Sequence, residues 1–515
     1  MCGSDESAPV PSGNRGCPVL IIQGADTQIE VRGDSEIEIA GISNESGKIK
    51  KKFLFFAIPG TRTHGNSHAG EAVSKGAAAI ATDRIDEALL KEKGNAVLIK
   101  TPDILSAMSR AACVFNNDPS SKMKIIGITG TNGKTTVSYL LESIHTLAGD
   151  YPAVIGTVDY RAGGKRLAKA SNTTPLAIEL QGLLKKMFES GSKTAIMEVS
   201  SHSLSLNRVA DIQFDCAIFT NLMRDHLDFH KDRQNYFNAK MKLFELSALH
   251  SRKSNRLAIL NADDAKSPEI TAKFGDKIRI LTFGINSKAD FTAEKIRILK
   301  DLSLFELKTP SGSREIKLNL IGMHNIYNAL SAIACAEGMG IDLSAAIKGI
   351  ELLKNVPGRL EKVSESGPFS VFVDYAHTDG ALENVLINLK KLPHNRLITV
   401  FGCGGDRDRT KRAPMGKIAC SMSDIAIITN DNPRTEDPSR IFDDIKRGLE
   451  GFSNYTIIPD RKEAIFRAVE TAKENDTVLI AGKGHEDYQI LKDKTIHFDD
   501  REVAKEAITA VTGNQ

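Results

Sequence analysis

A glycine-rich segment at Gly127–Thr136 lies between a short apolar run and a stretch of helical periodicity. It reads Gly-Ile-Thr-Gly-Thr-Asn-Gly-Lys-Thr-Thr, follows the apolar residues 125–128 and precedes residues 135–148, where apolar side chains recur at helical spacing. A strand, a glycine-rich loop and a helix in this order are typical of a phosphate-binding loop, in which backbone amides and a helix N-terminus surround phosphate oxygens. The segment therefore predicts an α/β domain that binds a nucleoside triphosphate.

The residues of this loop suit ATP together with magnesium. Lys134 offers a mobile cation to the phosphates, and the hydroxyl of Thr135 can ligate Mg²⁺. The spacing differs from the usual one, because that pattern would place its first glycine at position 128, which is Ile128. An accidental glycine-rich turn is the alternative, and the apolar run and the helical stretch on either side argue against it. The loop residues predicted to bind ATP are Gly130, Thr131, Asn132, Gly133, Lys134, Thr135 and Thr136.

The pattern along the chain predicts three α/β domains, because 515 residues exceed one ordinary core. Residues 1–120 read as a polar tail and a small α/β domain, with short alternations at 29–31 and 37–39 that predict strands. Residues 121–355 predict a central P-loop ATPase-like domain with a mostly parallel sheet, followed by antiparallel strands near its end. Residues 356–515 predict a second doubly wound, Rossmann-like domain.

The composition argues against several kinds of partner. A net charge of +3 with 26% charged residues gives no reason to expect a nucleic acid. The seven cysteines are scattered without a CxxC pair, which is typical of a reducing cytoplasm and argues against a disulfide framework or a zinc site. No apolar run reaches the length of a membrane span, and the start of the chain is polar. We expect a cytoplasmic, monomeric protein that acts on small molecules without inserting into a membrane.

Two polar clusters follow apolar strands, at the position where open α/β sheets bind ligands. In Met-Glu-Val-Ser-Ser-His, at 197–202, Glu198 is a candidate magnesium ligand, although such a carboxylate is more often solvated or a helix cap. In Thr-Asn-Leu-Met-Arg-Asp-His-Leu-Asp, at 220–228, His226 is either a second metal ligand or a surface histidine. Neither cluster decides the function by itself.

Together these segments resemble the Mur ligase family, which couples amino acids to UDP-linked muropeptides in bacterial cell-wall (peptidoglycan) synthesis. The resemblance includes Tyr-Phe-Asn-Ala-Lys at 236–240 and extends over nearly the whole chain. It implies that Lys240 is carbamylated to N6-carboxylysine and ligates metal with Thr135, Glu198 and His226. Without the resemblance, Lys240 would be interpreted as an ordinary solvated lysine. The catalytic residues that the family implies are Lys134, Glu198, His226 and Lys240.

The resemblance also assigns ATP contacts outside the loop. Asn325, in His-Asn-Ile-Tyr-Asn, resembles the family's adenine contact, and Arg359, in Pro-Gly-Arg-Leu-Glu, resembles its nucleotide-phosphate arginine. Asp374 and His377, in Asp-Tyr-Ala-His, fall in the segment that closes over ATP. Judged from the residues alone, Asn325 suits a helix cap and Asp374 a strand-end carboxylate.

Three segments that follow predicted strands of the third domain indicate the amino-acid substrate, at 402–409, 431–434 and 482–486. Asp-Asn-Pro-Arg, at 431–434, resembles the family members that add meso-2,6-diaminopimelate, in which its arginine holds the distal carboxylate. Lysine lacks that carboxylate and would leave the guanidinium buried and unpaired. Arginines near acids can also be plain surface networks. The residues predicted to bind diaminopimelate are Arg407, Asp431, Asn432, Pro433, Arg434, Gly482 and Glu486.

The resemblance assigns the acceptor, UDP-MurNAc-L-Ala-D-Glu, to the first and central domains. At 45–47 the chain has Glu-Ser-Gly where the family commonly has Asp-Ser-Arg, so the arginine expected near the uracil is absent. At 378–380 Thr-Asp-Gly stands in place of Thr-Pro-Asp. The residues predicted to contact the acceptor are Ser46, Thr173, Thr174, Ser200 and Arg208.

The motifs together predict an ATP-dependent ligase. The D-glutamate carboxylate would attack the γ-phosphate of ATP, and the amino group of diaminopimelate would attack the resulting acyl phosphate. Three alternatives stay open: a lysine-adding Mur ligase, a folylpolyglutamate-synthase-like ligase and a non-catalytic P-loop ATP switch. Arg434 argues against the first, and the expected folate-binding pattern of the second is not seen. Amino-acid-dependent phosphate release distinguishes a ligase from the switch.

Overall fold

The protein is described by a computed structural model that covers residue 22 and residues 28–60, 63–363 and 368–513. The first sheet has five strands, β1 Glu30–Arg32, β2 Gly41–Ser43, β3 Phe53–Ala57, β4 Ala77–Thr82 and β5 Val97–Lys100. The helices that pack with it are α1 Ala69–Ser74, α2 Glu87–Glu92 and α3 Ile104–Phe115. The strand order is β1-β5-β4-β3-β2, with β1 antiparallel to β5 and the other pairs parallel.

The central sheet has eleven strands. They are β6 Lys124–Thr129, β7 Ala153–Ile155, β8 Asp159–Ala162, β9 Lys165–Lys169, β10 Thr194–Glu198, β11 Cys216–Phe219, β12 Leu257–Asn261, β13 Arg279–Gly284, β14 Phe291–Ile298, β15 Ser303–Thr309 and β16 Gly312–Leu318. The helices of this region are α4 Lys134–Leu147, α5 Ala177–Glu189, α6 Ser201–Ser205, α7 Leu227–His230, α8 Arg233–Glu245, α9 Ser267–Phe274, α10 Met323–Gly338 and α11 Leu343–Leu352.

The order of the central sheet, β16-β15-β14-β13-β12-β11-β6-β10-β7-β8-β9, places β6 among parallel neighbours. Both faces of β6 are buried, because Ile126 and Ile128 pack with the helix α4 while Ile125 packs in a second core on the other face. A strand with two buried faces is largely apolar, and in this one only Lys124, at its start, is exposed. The carboxyl ends of β6, β10 and β11 meet at one edge, where the polar clusters lie.

The third sheet has six strands, and a separate hairpin follows it. The strands are β17 Glu361–Lys362, β18 Ser370–Asp374, β19 Leu397–Cys403, β20 Ile425–Asn430, β21 Tyr455–Ile457 and β22 Thr477–Ala481, with the hairpin β23 Tyr488–Leu491 and β24 Lys494–His497. Its helices are α12 Asp379–Lys390, α13 Arg412–Met422, α14 Pro438–Lys446, α15 Arg461–Thr471 and α16 Asp500–Thr512. The order β17-β18-β22-β19-β20-β21 is parallel apart from β17.

The three-part α/β architecture predicted from the sequence is confirmed, including the antiparallel strands β14 to β16. The strand predicted at 37–39 is wrong, since the chain there makes no ladder and pairing begins at Gly41. Gly41 allows this pairing because a Cβ there would lie 2.3 Å from the ring of Phe53. None of the helices in the described ranges has the length and apolar character that a membrane crossing requires.

Candidate active site

The glycine-rich loop between β6 and α4 needs two of its glycines for steric reasons. Gly130 has φ of 142°, and a Cβ there would lie 1.9 Å from the hydroxyl oxygen of Thr220. Gly133 has φ of 91°, and its Cβ would lie 2.4 Å from the side-chain oxygen of Asn328. The hydroxyl of Thr220 cannot easily move, because it donates to the carbonyl oxygen of Asn132 at 2.6 Å. The strand β11 and the helix α10 therefore fix the shape of the loop.

The ammonium of Lys134 lies over the same loop. Its Nζ donates to the carbonyl oxygens of Gly130 at 2.8 Å and Thr131 at 2.9 Å. Burial lowers the pKa of Lys134, while the charges of Glu198 and Asp225 oppose that shift. Carbonyl oxygens are weak partners for an ammonium compared with phosphate, so Lys134 can exchange them for the phosphates of a nucleotide.

Glu198 forms a cluster of buried oxygen atoms at the end of β10. It is 1% exposed and accepts hydrogen bonds from the Thr135 hydroxyl at 3.0 Å, the Thr157 hydroxyl at 2.9 Å and the Thr157 amide at 2.9 Å. A Cβ at Gly156 would lie 2.5 Å from Oε1 of Glu198, so glycine is needed beside the cluster. A carboxylate and two hydroxyls next to a phosphate loop are the hard oxygen donors that Mg²⁺ prefers.

Lys240 is a buried lysine without a carboxylate within ion-pair distance among the described residues. Its Nζ lies 4.3 Å from the ring centroid of Tyr236. Burial, and then the charge of Lys134, hold the pKa of Lys240 well below the ordinary lysine value, and Asp225 offsets part of the shift. The amine is thus biased towards its neutral, nucleophilic form.

His226 belongs to a group of rings beside Lys240. Its ring centroid lies 4.8 Å from that of His202 and 6.1 Å from that of Tyr236, and its own φ is 52°. Burial lowers the pKa of His226, and the charges of Lys134 and Lys240 lower it further. A neutral imidazole can ligate a metal. The described residues contain no group of three or more His, Cys, Asp or Glu side chains placed to hold a metal ion, so a second ion would depend on ligands such as a modified lysine.

Arg359 extends from the segment before the third sheet into the phosphate site. Its Nη2 donates to the hydroxyl of Thr135 at 3.1 Å, and its guanidinium lies 5.0 Å from the ring centroid of Tyr375. The Nε atom is buried and has no hydrogen-bond partner among the described residues. A half-buried guanidinium with a buried, unused donor beside a phosphate loop is suited to a phosphate oxygen.

The other predicted ATP contacts have structural partners. Asn325 is 3% exposed, donates to the Ile321 carbonyl oxygen at 2.9 Å and accepts from Asn328 at 3.1 Å. Asp374 accepts from two backbone amides, those of Leu360 at 2.6 Å and Ala376 at 2.8 Å, and burial raises its pKa. The His377 ring pairs with the carbonyl oxygen of Tyr375 at 2.8 Å. Asp374 therefore stabilises the turn that carries Arg359.

The third-domain loops bring most of the predicted diaminopimelate residues together. The Asn432 amide donates to Oε2 of Glu486 at 3.0 Å, and the Arg434 guanidinium donates to the carbonyl oxygens of Gly405 at 2.9 Å and Asn432 at 3.3 Å. Arg434 has φ of 54°. The loops after β19, β20 and β22 thus meet at one edge of the sheet.

The remaining residues of that set differ in their exposure. Asp431 is buried, and a Cβ at Gly482 would lie 2.8 Å from its Oδ2. Pro433 is buried as well, whereas Arg407 is exposed, although its Cγ would lie 3.8 Å from a Cβ at Gly404. Arg407 therefore lies at the rim of the loop cluster.

Four of the five predicted acceptor residues lie together on the central domain. Thr174 donates to the Glu198 carbonyl oxygen at 2.8 Å and accepts from the Ser200 amide at 3.2 Å, and its own carbonyl oxygen accepts from Arg208 at 2.9 Å. Thr173 shares a hydroxyl contact of 3.1 Å with Thr157, which links this group to the Glu198 cluster. Ser46 lies apart, on the first domain, where its hydroxyl donates to Glu71.

Sequence patterns missed three residues of the site. Thr157 lies in irregular chain after β7 and belongs to no motif, so only the fold brings it to Glu198. Asn221 accepts from the Asn132 amide at 3.0 Å and follows the strand β11, a position that could have indicated it. Lys483 is fully buried within 3.2 Å of Glu486, between two residues that were assigned to the substrate.

Comparison with known sequences decides the family. Three models of Mur ligase domains match the chain: "Mur ligase family, catalytic domain" at 38–115, "Mur ligase middle domain" at 128–336 and "Mur ligase, glutamate ligase domain" at 358–484. A UDP-N-acetylmuramoyl-L-alanyl-D-glutamate--2,6-diaminopimelate ligase of Clostridium perfringens is 43% identical over 94% of this chain and 97% of its own length. The chain belongs to the Mur ligase family. A ligase of the same description from Geobacter sulfurreducens is 41% identical over 92% of the chain and 96% of its own length.

Solved Mur ligase structures share the whole architecture. A structure described as UDP-N-acetylmuramoyl-L-alanyl-D-glutamate--2,6-diaminopimelate ligase has a TM-score of 0.65 and 33% identity, covering 92% of this chain and 96% of that one. A D-alanyl-D-alanyl-adding Mur ligase from Acinetobacter baumannii has a TM-score of 0.60 at 19% identity, over 93% of this chain and 94% of that one. A folylpolyglutamate synthase from Mycobacterium tuberculosis has a TM-score of 0.61 at 16% identity, over 79% of this chain and 95% of that one. The last two show the fold alone.

Proposed function

We propose that this Mur ligase adds meso-2,6-diaminopimelate to UDP-MurNAc-L-Ala-D-Glu, with conversion of ATP to ADP and phosphate. The observation that carries the proposal is the meeting of Arg434, Asn432 and Glu486 at one edge of the third sheet. A guanidinium and a carboxylate that both contact Asn432 suit a distal group that bears both a carboxylate and an ammonium. The names of the relatives at 41–43% identity support the same substrate pair.

The reaction proceeds through an acyl phosphate in this proposal. A carboxylate oxygen of the D-glutamate attacks the γ-phosphorus of ATP, and the bond to the β,γ-bridging oxygen breaks to release ADP. The neutral amine of diaminopimelate then attacks the acyl carbon, loses a proton and displaces phosphate. Lys134 and Arg359 bind the transferring phosphoryl group, while Arg208 and Thr174 orient the acceptor.

Magnesium is the metal that the oxygen cluster fits best. Thr135 and Glu198 would hold one ion, and His226 with a carbamylated Lys240 would hold a second, where magnesium neutralises phosphate charge. The lowered pKa of Lys240 favours the neutral amine that reacts with carbon dioxide. Carbamylation would replace this buried amine by an anion, which the nearby charge of Lys134 would stabilise.

The same proposal assigns roles to the three domains, with boundaries at 1–120, 121–355 and 356–515. The first domain holds the uridine end near Ser46, the central domain holds ATP, with Asn325 at the adenine, and the third domain binds the amino acid and closes over ATP through Asp374 and His377. We place the enzyme in the cytoplasm as a monomer, in keeping with the free, buried thiols of its described cysteines, such as Cys216 and Cys335.

Isotope transfer tests this chemistry directly. The purified protein is incubated with ATP, magnesium, bicarbonate, meso-diaminopimelate and acceptor labelled with ¹⁸O in the D-glutamate carboxylate. The proposal expects a UDP-MurNAc-tripeptide by mass spectrometry and one ¹⁸O atom in the released phosphate. Product formation with unlabelled phosphate would contradict the acyl-phosphate route, and the absence of any tripeptide would contradict the proposed function.

A further inference from the structure

Lys483 is a buried cation inside the predicted amino-acid site. Its side chain is 0% exposed, and its Nζ lies 3.2 Å from Oε2 of Glu486 and 3.4 Å from the side-chain oxygen of Asn432. The ring centroid of Tyr488 lies 5.4 Å away. The ammonium is therefore held by groups that the proposed function assigns to substrate binding. The proposed function does not itself require a second cation beside Arg434 in this site.

The pairing changes what Glu486 offers to a ligand. The amide of Asn432 donates to the same carboxylate oxygen that Lys483 contacts. A carboxylate already paired with a buried ammonium attracts an incoming ammonium less strongly than a free one, because the two cations repel each other at short range. Glu486 is thus a weak anchor for a side chain that carries only positive charge.

Two candidate amino acids respond differently to this charge. The distal group of diaminopimelate is a zwitterion, so the attraction of Lys483 for its carboxylate offsets the repulsion of its ammonium. The distal group of L-lysine is an ammonium alone, so it experiences repulsion without compensation. We propose that Lys483 is a specificity-determining residue that disfavours amino acids with a lone distal ammonium, by its contact with Glu486. This inference rests on the proposed function and deepens it.

Lys483→Met tests the inference, because methionine keeps the length of the side chain and removes the charge. Phosphate release is measured with meso-diaminopimelate and with L-lysine, and the ratio of the two kcat/KM values is compared with that of the unaltered protein. We expect the ratio to fall by about tenfold or more, mainly through a lower KM for L-lysine. Lys462→Met, which removes an exposed lysine paired with Glu506, should leave the ratio unchanged.

Further variants separate charge from fold. Adding Glu486→Gln to Lys483→Met should abolish the gain towards lysine, since the carboxylate that attracts the ammonium is gone. Lys483→Gln keeps a hydrogen-bond donor without charge and replaces the methionine variant if that one does not fold by circular dichroism. A ratio within about twofold of the unaltered protein in a folded neutral variant would overturn the inference. If the unaltered protein uses neither amino acid, the proposed function fails instead.

Discussion

The guanidinium of Arg359 donates a hydrogen bond of 3.1 Å to the hydroxyl of Thr135, which itself donates to Glu198 at 3.0 Å. Arg359 precedes the third sheet, whereas Thr135 lies in the first turn of the helix after the glycine-rich loop. One hydrogen-bonded chain therefore connects the segment that leads into the third domain with the proposed phosphate and metal site of the central domain. Phosphoryl transfer depends on positioning and charge, so this contact should couple domain arrangement to catalysis.

Arg359→Met should lower kcat/KM for ATP by about tenfold to a thousandfold, because one strong donor to the transferring phosphoryl group is lost. Arg359→Lys should recover only part of the activity, since an ammonium cannot contact Thr135 and a phosphate with the same fork. Coupled-enzyme assays of ADP release measure both. Arg447→Met removes an exposed arginine of the same domain and serves as the control. Equal rates for Arg359→Met and this control would exclude a role at the phosphate.

Glu198→Gln should reduce phosphate release by about a hundredfold or more, because a neutral amide is a poor ligand for magnesium. The substitution preserves shape and keeps one oxygen for the hydroxyls of Thr135 and Thr157, but it sets an NH2 group against the backbone amide of Thr157. The melting temperature is therefore measured alongside, to separate this loss of stability from the loss of metal binding. Titration with MgCl₂ provides the diagnostic measurement: the variant should need a higher concentration for half-maximal activity. A magnesium dependence equal to that of the unaltered protein would remove Glu198 from the metal site.

Lys240 should react with carbon dioxide, and the reaction should weaken as the pH falls. Burial and Lys134 lower the pKa of Lys240, which leaves its amine neutral at pH values where exposed lysines are charged. Only the neutral amine forms a carbamate, so lowering the pH through the folded-state pKa protonates it and reverses the modification. With ¹³C-bicarbonate, a carbamate resonance should be present in the unaltered protein and absent from Lys240→Ala.

The neighbouring Lys242 provides a matched control for that experiment. Lys240→Ala should lose about a hundredfold or more of the phosphate release, as expected for a lost metal ligand. Lys242→Ala, which removes a lysine whose Nζ lies 3.5 Å from the Leu204 carbonyl oxygen, should retain activity within about twofold and keep the resonance. Loss of the resonance in Lys242→Ala but not in Lys240→Ala would place the carbamate on Lys242 and contradict the prediction.

The buried pair of Arg461 and Asp500 should stabilise the third domain. Both side chains are 0% exposed, the ion pair measures 2.7 Å, and Arg461 also donates to the carbonyl oxygens of Asn430 and Ala481. Asp500→Ala leaves the guanidinium buried without its counter-ion and should lower the free energy of unfolding by about 3–5 kcal/mol. Urea unfolding measures this. An unchanged midpoint of unfolding would contradict the prediction, because water or a local movement of the chain would then solvate the charge of Arg461.

Sequence patterns predicted the features of the fold that depend on neighbouring residues along the chain. The loop at 127–136 is recognisable from its glycines between a strand and a helix, and the alternation of strands and helices predicted the sheets on either side. The contacts with Thr220 and Asn328 that require Gly130 and Gly133 are visible only in the fold. Thr157 could not be found in this way, because its contact with Glu198 joins chain segments separated by 41 residues. Lys483 stood within a recognised segment, but only its burial against Glu486 distinguishes it from a solvated lysine. The short strand at Gly41 likewise depended on the packing of Phe53.

Arg434 carries the choice of amino acid in this account. Arg434→Met should lower kcat/KM for meso-diaminopimelate by about a hundredfold, the loss expected for one charge-assisted bidentate contact in a closed site. Turnover with L-lysine should not fall, because lysine has no distal carboxylate. Arg440→Met, an exposed arginine a few residues further on, should leave both rates unchanged. An equal loss with both amino acids would indicate that Arg434 only supports the loop.

Phosphate release from ATP by the purified protein tests the central claim most directly. The assay contains UDP-MurNAc-L-Ala-D-Glu, magnesium and bicarbonate, and compares meso-diaminopimelate, L-lysine and no amino acid. We predict rapid release with diaminopimelate and far slower release with L-lysine or without an amino acid. A preference for L-lysine would contradict the role of Arg434, and the same slow release under all three conditions would contradict the assignment as an amino-acid ligase.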